Sequence, residues 1–148
     1  MNGVVVFDID GTIANNDHRR DFVVNKPKDW KAYNELMHLD EPILDIIDLL
    51  WVLKDSGDHI ILCTGREEVY RPTTWMWLEK HRLADKISDL YMRPEKDYRS
   101  DAIVKVELLK QIEYHWGRPR LWFDDRKQVV DAIRAEGIRV LQVAPGDF

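Results

Sequence analysis

The sequence predicts an α/β fold in which a mostly parallel five-stranded sheet carries helices on both faces. Short runs of β-branched and aromatic residues alternate along the chain with longer helical segments, which is the pattern of right-handed strand–helix–strand crossovers. These runs are apolar throughout rather than alternating, as expected of strands covered on both faces. At 148 residues, the chain is expected to form a single domain, residues 1–148.

Each predicted element has a recognisable boundary. Pro42 and Gly57 flank an apolar helix, and proline near a helix start with glycine just past its end is the usual asymmetry. Ser100 is a favourable N-cap for the longest helix, which Gly117 follows. The predicted strands are Val4–Phe7, His59–Cys63, 87–92, 120–125 and 138–144, and the predicted helices are Ile43–Lys54, 72–81, Asp101–Trp116 and Lys127–Glu136.

Composition and charge narrow the class of protein. No run approaches the ~20 apolar residues needed to cross a membrane, and no signal peptide is recognisable, so we expect a cytoplasmic protein without a membrane partner. The single cysteine, Cys63, excludes an internal disulfide and a cysteine-based zinc site. A net charge of −5 argues against indiscriminate binding to nucleic-acid backbones, although a few arginines can still bind a phosphate locally.

Four aspartates lie at the ends of predicted strands. Asp8 and Asp10 follow the first strand, and Asp124 and Asp125 end the fourth. In a parallel sheet these ends share one edge, where ligands bind. Four carboxylates there would raise one another's pKa unless a cation neutralised them, and Mg²⁺ is the simplest hard cation for oxygen ligands. The alternative of unrelated, solvated strand ends is weakened by the second pair.

Three further features indicate an anion beside this metal site. The Gly11-Thr12 dipeptide permits a tight turn whose backbone N–H groups can face an anion, and the segment Thr64–Arg66 offers the same kind of cradle after the second strand. Lys105 lies four residues after Asp101, so both occupy one helix face. On that face Lys105 can hold a phosphoryl oxygen with Asp101 orienting it, although a lysine in a helix is more often simply solvated.

The sequence resembles the haloacid dehalogenase (HAD) superfamily of aspartate-nucleophile phosphotransferases. The resemblance rests on four features that follow one another along the chain: the motif DIDGT, Thr64, Lys105 and the aspartate pair 124–125. The resemblance implies a Rossmann-like HAD fold and an aspartyl-phosphate intermediate. It implies that Asp8 is the nucleophile and that Asp10 protonates the leaving oxygen and then activates water. It further implies phosphoryl contacts from Thr64 and Lys105, and Mg²⁺ ligands from Asp8, Asp10 (through its carbonyl), Asp124 and Asp125.

Asp10 also separates two reactions within this superfamily. A halide leaves without a proton, whereas an alkoxide needs a general acid. A carboxylic acid two residues after the nucleophile therefore favours hydrolysis of a phosphate ester over dehalogenation.

A finer resemblance lies outside these motifs. The segments TGREEVYRPTTWMWL, YRSDAIVKVE and QVAPGDF are similar to the 3′-phosphatase domain of bacteriophage-type polynucleotide kinase–phosphatase. This implies removal of 3′-phosphates from nucleic-acid ends or nucleotides in nucleic-acid repair. No G-x-x-x-x-G-K-[ST] loop is present, so no kinase domain is expected in this sequence. The implied substrate contacts are Thr12, Arg19 (with Arg20 as a neighbouring alternative), Gly65, Arg66, Arg93 and Arg126.

Two segments, 13–41 and 67–99, leave room only for small helical cap elements. A minimal cap leaves the site open, which suits a polymer end, whereas small substrates are better enclosed. Aromatic residues in these segments are candidates for base stacking, although at helical spacing they are more often core; they are Trp30, Tyr33, Tyr70 and Trp75. The alternative functions are a nucleoside 5′-monophosphatase or general small-molecule HAD phosphatase, and a non-catalytic module that binds nucleic-acid ends.

Overall fold

The computed structural model describes residues 2–148 and contains one central five-stranded sheet in which all neighbouring strands are parallel. The strands are β1 Val4–Phe7, β2 Ala14–Asn15, β3 Glu41–Pro42, β4 His59–Glu67, β5 Asp89–Arg93, β6 Leu121–Asp124 and β7 Val140–Gln142. The helices are α1 Asp21–Val24, α2 Trp30–Glu35, α3 Leu44–Asp55, α4 Arg71–Lys80, α5 Asp101–Trp116 and α6 Lys127–Ala135. The central sheet has the order β5-β4-β1-β6-β7, and β2 pairs with β3 in a separate antiparallel ribbon.

The sheet separates two apolar clusters, which explains why β1 is apolar at every position. Val4 and Val6 belong to the cluster that includes α5 and α6. Val5 and Phe7 belong to the cluster that includes α3 and α4, and Phe7 stacks on Phe123 of β6 with ring centroids 4.5 Å apart. The prediction of a parallel sheet with helices on both faces is therefore confirmed.

The boundaries of β4 differ most from the prediction. The strand runs past Cys63 to Glu67, with a register shift between Thr64 and Glu67, because Glu67 pairs with Arg93 of β5. The Thr64–Arg66 segment is thus held within the sheet rather than in a free loop. By contrast, β7 covers only Val140–Gln142 of the predicted 138–144.

The two predicted cap segments have different structures. Residues 13–41 form β2, the short helices α1 and α2, two 3₁₀ turns and β3. The N-terminus of α2 is capped by Asp29, whose Oδ1 accepts from the Ala32 amide at 3.0 Å. Residues 67–99 include α4 and β5, which pack in the core layers. No helix in residues 2–148 combines the length and apolar character needed to span a bilayer.

Candidate active site

Lys105 and Asp8 form the floor of the site. The Asp8 amide donates to the Phe123 carbonyl at 2.9 Å, which fixes the end of β1 against β6. The Lys105 ammonium is buried and donates to Asp8 Oδ1 at 2.7 Å and to Asp124 Oδ2 at 2.8 Å, and it lies 3.7 Å from Asp101. Burial lowers the pKa of Lys105, but the three carboxylates outweigh burial and raise it well above its ordinary value. Lys105 is therefore a permanently charged group.

Asp8, Asp124 and Asp125 form a buried acidic cluster whose ligand oxygens all lie within 4.8 Å of one another. Burial and the charge of Asp124 raise the pKa of Asp8 well above its ordinary value and raise that of Asp125 to about 6. One lysine does not balance three carboxylates in so small a volume. This oxygen-only set, with its surplus negative charge, fits a hard divalent cation such as Mg²⁺.

The carboxylate of Asp10 lies outside that cluster. It accepts from Arg19 Nη2 at 2.6 Å and from Arg66 Nη2 at 2.7 Å. Burial raises the pKa of Asp10, but the charges of Arg66 and Arg19 outweigh it and hold the pKa well below its ordinary range. Asp10 is therefore ionised in this structure, and a part in metal binding would fall to its backbone carbonyl alone.

Asp40 is a site residue that the sequence analysis did not identify. Its side chain is completely buried and accepts from Arg19 Nε and Nη2 at 2.8 and 2.6 Å. Arg66 Nη2 approaches it at 3.4 Å, and His18 Nε2 lies 2.7 Å from its Oδ1. Asp40 thus joins the two arginines that hold Asp10. Its local sequence, HLDEP, contains no spacing or motif that predicts this position.

Arg19 lies beneath the cleft rather than on its surface, which differs from the predicted substrate contact. Its side chain is completely buried, and its guanidinium also packs 4.1 Å from the Tyr33 ring centroid. Every strong contact of this group is made with the protein, so Arg19 positions Asp10. The neighbouring Arg20 does line the cleft, with its guanidinium 4.8 Å from the Phe148 ring centroid.

The two predicted anion cradles support the aspartates closely. Thr12 is fully buried and donates its hydroxyl to Asp8 Oδ2 at 3.2 Å. Thr64 is also buried, and its hydroxyl accepts from the Arg66 amide at 3.1 Å. Gly65 lines the cleft, and a β-carbon at this position would collide with the Asp101 carboxylate. The structure thus brings both turns to the floor and leaves the Gly65 backbone facing the cleft.

Arg93 and Arg126 both line the cleft, but each guanidinium already donates some of its hydrogen bonds to other groups of the protein. Arg93 donates from Nε to the Gly65 carbonyl at 2.9 Å and from Nη1 to the carbonyls of Asp97 and Arg99 at 3.0 and 2.6 Å. It therefore anchors the turn at 94–100. Arg126 donates from Nε to the Phe148 carbonyl at 2.8 Å, and its Nη1 lies 3.8 Å from Asp101.

The cleft above this floor has a volume of about 560 Å³. Its lining includes cap residues between 16 and 34 and the turn at 97–101. Of the predicted aromatic contacts, Trp30 and Tyr33 line the cleft, although the Tyr33 ring is buried and its hydroxyl accepts from Asn16. Trp75 packs against the core instead.

A parallel sheet of this order, with a carboxylate bonded to a buried lysine at its carboxyl edge, places the chain among the Rossmann-like phosphatases of the HAD superfamily. More narrowly, the family model of the polynucleotide kinase PNKP phosphatase domain matches residues 2–148, and the chain belongs to that family. The recognition from sequence is therefore confirmed.

Solved structures agree with this assignment. A chain in the structure of the Pnkp1/Rnl/Hen1 RNA repair complex is 30% identical, with a TM-score of 0.84 over 99% of this chain and 44% of that one. A second Pnkp1/Rnl/Hen1 complex gives 32% identity and a TM-score of 0.79 over 99% of this chain and 48% of that one. The present chain thus spans less than half the length of these relatives. A hydrolase from Streptococcus pneumoniae TIGR4, 16% identical with a TM-score of 0.65 over 98% and 95% of the two chains, shares the fold.

The acidic cluster leads to a prediction about pH and metal. Because the pKa of Asp125 is raised to about 6, the folded metal-free protein binds a proton that the unfolded chain releases near its ordinary pKa of 3.8. Stability without metal should therefore fall as pH rises from about 4 through about 6. A divalent cation bound by these carboxylates would replace that proton, so the rise in melting temperature on adding Mg²⁺ should be larger at about pH 7.5 than at about pH 5.

Differential scanning fluorimetry with EDTA or Mg²⁺ measures this difference. The Asp125→Asn variant is the control, since it should lose the part of the pH dependence in EDTA that Asp125 contributes, while Asp8 keeps its own part, and it should lose most of the Mg²⁺ response. An equal Mg²⁺ response at both pH values would show that these carboxylates are not the metal site.

Proposed function

We propose that the chain is a Mg²⁺-dependent phosphomonoesterase that removes 3′-phosphates from nucleic-acid ends or nucleotides through an aspartyl-phosphate intermediate. The observation that carries this proposal is the Asp8 carboxylate, held between Lys105 and two further aspartates at the floor of an open cleft. Membership of the PNKP phosphatase family and likeness to chains of an RNA repair complex support a nucleic-acid end as the substrate.

Asp8 is oriented for attack by two hydrogen bonds. Lys105 donates to its Oδ1 and Thr12 donates to its Oδ2, so the carboxylate cannot rotate freely. In the first step an Asp8 oxygen forms a bond to phosphorus while the ester P–O bond breaks. In the second step water attacks phosphorus and the bond to Asp8 breaks, which releases inorganic phosphate. Splitting the transfer in this way replaces one difficult step by two easier ones.

A divalent cation held by Asp8, Asp124 and Asp125 would neutralise charge on the nucleophile and the phosphate. Lys105 supplies a second, fixed positive charge beside the same oxygens. The Gly65 backbone lines the cleft where a phosphoryl oxygen would lie, and the buried Thr64 hydroxyl fixes this segment by accepting from the Arg66 amide. Positioning and charge neutralisation account for most of the catalysis of phosphoryl transfer.

Asp10 moves the protons in this scheme. It is ionised in the structure, so the doubly charged phosphate must counteract Arg19 and Arg66 before Asp10 can carry a proton to the leaving oxygen. Once that proton is given up, the ionised form is restored and serves as the base for water. Before substrate binds, the two arginines therefore keep Asp10 in the ionised form that serves as the base in the second step.

The Asp10→Asn variant separates these two roles. With a 3′-phosphate ester, whose alkoxide needs a proton, turnover should fall by about 10²–10⁴-fold. With p-nitrophenyl phosphate, whose leaving group needs no proton, the first step should survive while the second is slow. Rapid-quench or stopped-flow measurement should then show a burst of p-nitrophenolate close to one equivalent. Absence of a burst, with equal losses on both substrates, would assign Asp10 a structural role.

The substrate assignment is tested by incubating 3′-phosphorylated and 5′-phosphorylated oligonucleotides with the protein and Mg²⁺ and measuring released phosphate. We expect rapid release from the 3′ end only, and loss of release in EDTA. Equal or reversed preference would contradict the 3′ assignment and favour a nucleoside 5′-monophosphatase or a general phosphatase. Absence of turnover on every phosphomonoester would favour a module that only binds nucleic-acid ends.

A further inference from the structure

Segment 142–148 packs against the chain around Asp125, although it contributes none of the carboxylates of the site. We propose that this segment is a positioning element with two separate parts. Its backbone fixes Asp125 for metal binding, and the Phe148 ring fixes Arg126 for binding of the phosphate. This inference rests on the proposed function.

Backbone hydrogen bonds tie the segment to the chain on both sides of Asp125. The Val143 amide donates to the Asp124 carbonyl at 3.0 Å, immediately before Asp125. The Lys127 amide donates to the Gly146 carbonyl at 2.8 Å, two residues after it. Groups that ligate a metal depend on such outer contacts for their orientation. The segment therefore fixes the main chain from which the Asp125 carboxylate extends.

Gly146 and Gln142 contact Asp125 itself. A β-carbon on Gly146 would collide with the Asp125 carbonyl oxygen and with the Arg126 Cα, and neither main-chain atom can turn aside as a flexible side chain can. The exposed Gln142 side chain donates from Nε2 to the same Asp125 carbonyl at 3.1 Å. Glycine is needed at position 146 because the two backbones approach so closely, and any side chain there would displace Asp125.

Phe148 contacts Arg126 in two ways. Its main-chain oxygen accepts from Arg126 Nε at 2.8 Å, and its ring centroid lies 4.9 Å from the guanidinium carbon. The face of an aromatic ring attracts a guanidinium electrostatically, so both contacts restrict the rotation of this group. The Arg20 guanidinium of the cap lies 4.8 Å from the same ring centroid. The Phe148 ring therefore connects two arginines that line the cleft.

Held in this way, Arg126 lies beside the floor of the site. Arg126 Nη1 and Lys105 Nζ approach the same oxygen, Asp101 Oδ2, at 3.8 and 3.7 Å. Lys105 also donates to Asp8, so a phosphate beside Asp8 would meet both cations. The planar guanidinium can bind two phosphate oxygens at once, but only in the correct orientation. The contacts with Phe148 provide that orientation.

The backbone part of the proposal is tested by metal binding. Gly146→Ala should weaken binding of Mn²⁺ to the substrate-free protein by about 10- to 100-fold, the usual effect of changing an outer contact of a metal site. Gln142→Ala should weaken it by about 2- to 10-fold, as expected for one hydrogen bond. Phe148→Ala should leave it unchanged. Mn²⁺ is a hard cation suited to oxygen ligands, and electron paramagnetic resonance measures the free ion during a titration.

The ring part is tested by kinetics. Phe148→Ala should raise KM for a 3′-phosphate ester by about 5- to 30-fold, because two contacts between a ring and a guanidinium are lost, while kcat stays close to the unmodified value. The same rise in KM is expected with p-nitrophenyl phosphate, which carries the same phosphate group. Phe148→Trp should restore most of the affinity, whereas Phe148→Leu, which is apolar but not aromatic, should not.

The chain provides matched controls. A β-carbon on Gly3 would also meet close neighbours, but these include the Arg120 side chain, and neither residue lines the cleft. Trp51 is a partly exposed aromatic residue of α3 with the Lys86 ammonium 4.5 Å from its ring centroid. Gly3→Ala and Trp51→Ala should keep the unmodified affinity for Mn²⁺ and the unmodified KM.

The metal titration separates this inference from the proposed function, because it needs no turnover. If Gly146→Ala and Gln142→Ala weaken Mn²⁺ binding but the unmodified protein shows no 3′ preference, the positioning of Asp125 stands and the 3′ assignment fails. Circular dichroism checks the fold of each variant, and Gln142→Ala decides the metal part if Gly146→Ala does not fold. Unchanged Mn²⁺ affinity in a folded Gln142→Ala variant, or an unchanged KM in Phe148→Ala, would overturn the corresponding part.

Discussion

The Asp8→Asn variant should lose at least about 10⁴-fold in phosphatase turnover, because an amide does not attack phosphorus. The same change should raise the melting temperature of the metal-free protein at neutral pH. Burial and the charge of Asp124 raise the pKa of Asp8 well above its ordinary value. An ionised Asp8 therefore destabilises the metal-free fold as pH rises toward that raised pKa, and a neutral amide removes this cost. Activity and stability should change in opposite directions.

Phosphate release and thermal melting in EDTA measure the two effects on the same preparation. Asp58→Asn is the matched control, since Asp58 is also a buried aspartate but its pKa is lowered by a hydrogen bond from Arg120. That variant should melt at a lower temperature and keep the unmodified kcat. Residual turnover by Asp8→Asn would identify another nucleophile. A lower melting temperature of Asp8→Asn would mean that the ion pair between Asp8 and Lys105 stabilises the fold more than burial of the Asp8 charge destabilises it.

The floor of the site could be predicted from the sequence because its signals are local. An apolar run followed by an aspartate marks the end of a buried strand, and parallel strands bring such ends to one edge. The observed β1 and α5 match the predicted bounds. The signals that set these bounds, the apolar run Val4–Phe7 and the Ser100 N-cap, each lie within a few residues of the element they define. The position of Lys105 against Asp8 follows from those two elements and the helix period.

The support beneath Asp10 could not be predicted because it depends on packing between distant segments. Arg19, Arg66 and Asp40 come from three parts of the chain and meet only when the cap folds onto the sheet edge. Arginines and aspartates are usually solvated, and nothing in a local sequence shows that a particular one is buried. This is why Arg19 was expected at the cleft surface and is found beneath it.

The second large effect is expected for Asp40→Asn. Asp40 is completely buried and is the shared acceptor for Arg19 and Arg66. Its loss leaves two buried guanidinium groups with only Asp10 as a carboxylate partner, and breaking a buried pair in this way costs about 3 kcal/mol of unfolding free energy or more. Because the arginines fix Asp10, kcat for a 3′-phosphate ester should also fall, by about 10²-fold. Denaturant unfolding and phosphate release measure the two quantities.

Asp40 touches no reacting atom, so its effect on turnover must pass through Asp10. Asp40→Asn should therefore slow the 3′-phosphate ester more than the first step with p-nitrophenyl phosphate, which needs no proton. In a double-mutant cycle, adding Asp40→Asn to Asp10→Asn should cost little further turnover, whereas the losses of independent sites would add. Asp58→Asn again provides a destabilised control, since it should not slow the reaction of one substrate more than that of the other. Additive losses, or equal losses on both substrates, would show that Asp40 stabilises the cap without positioning Asp10.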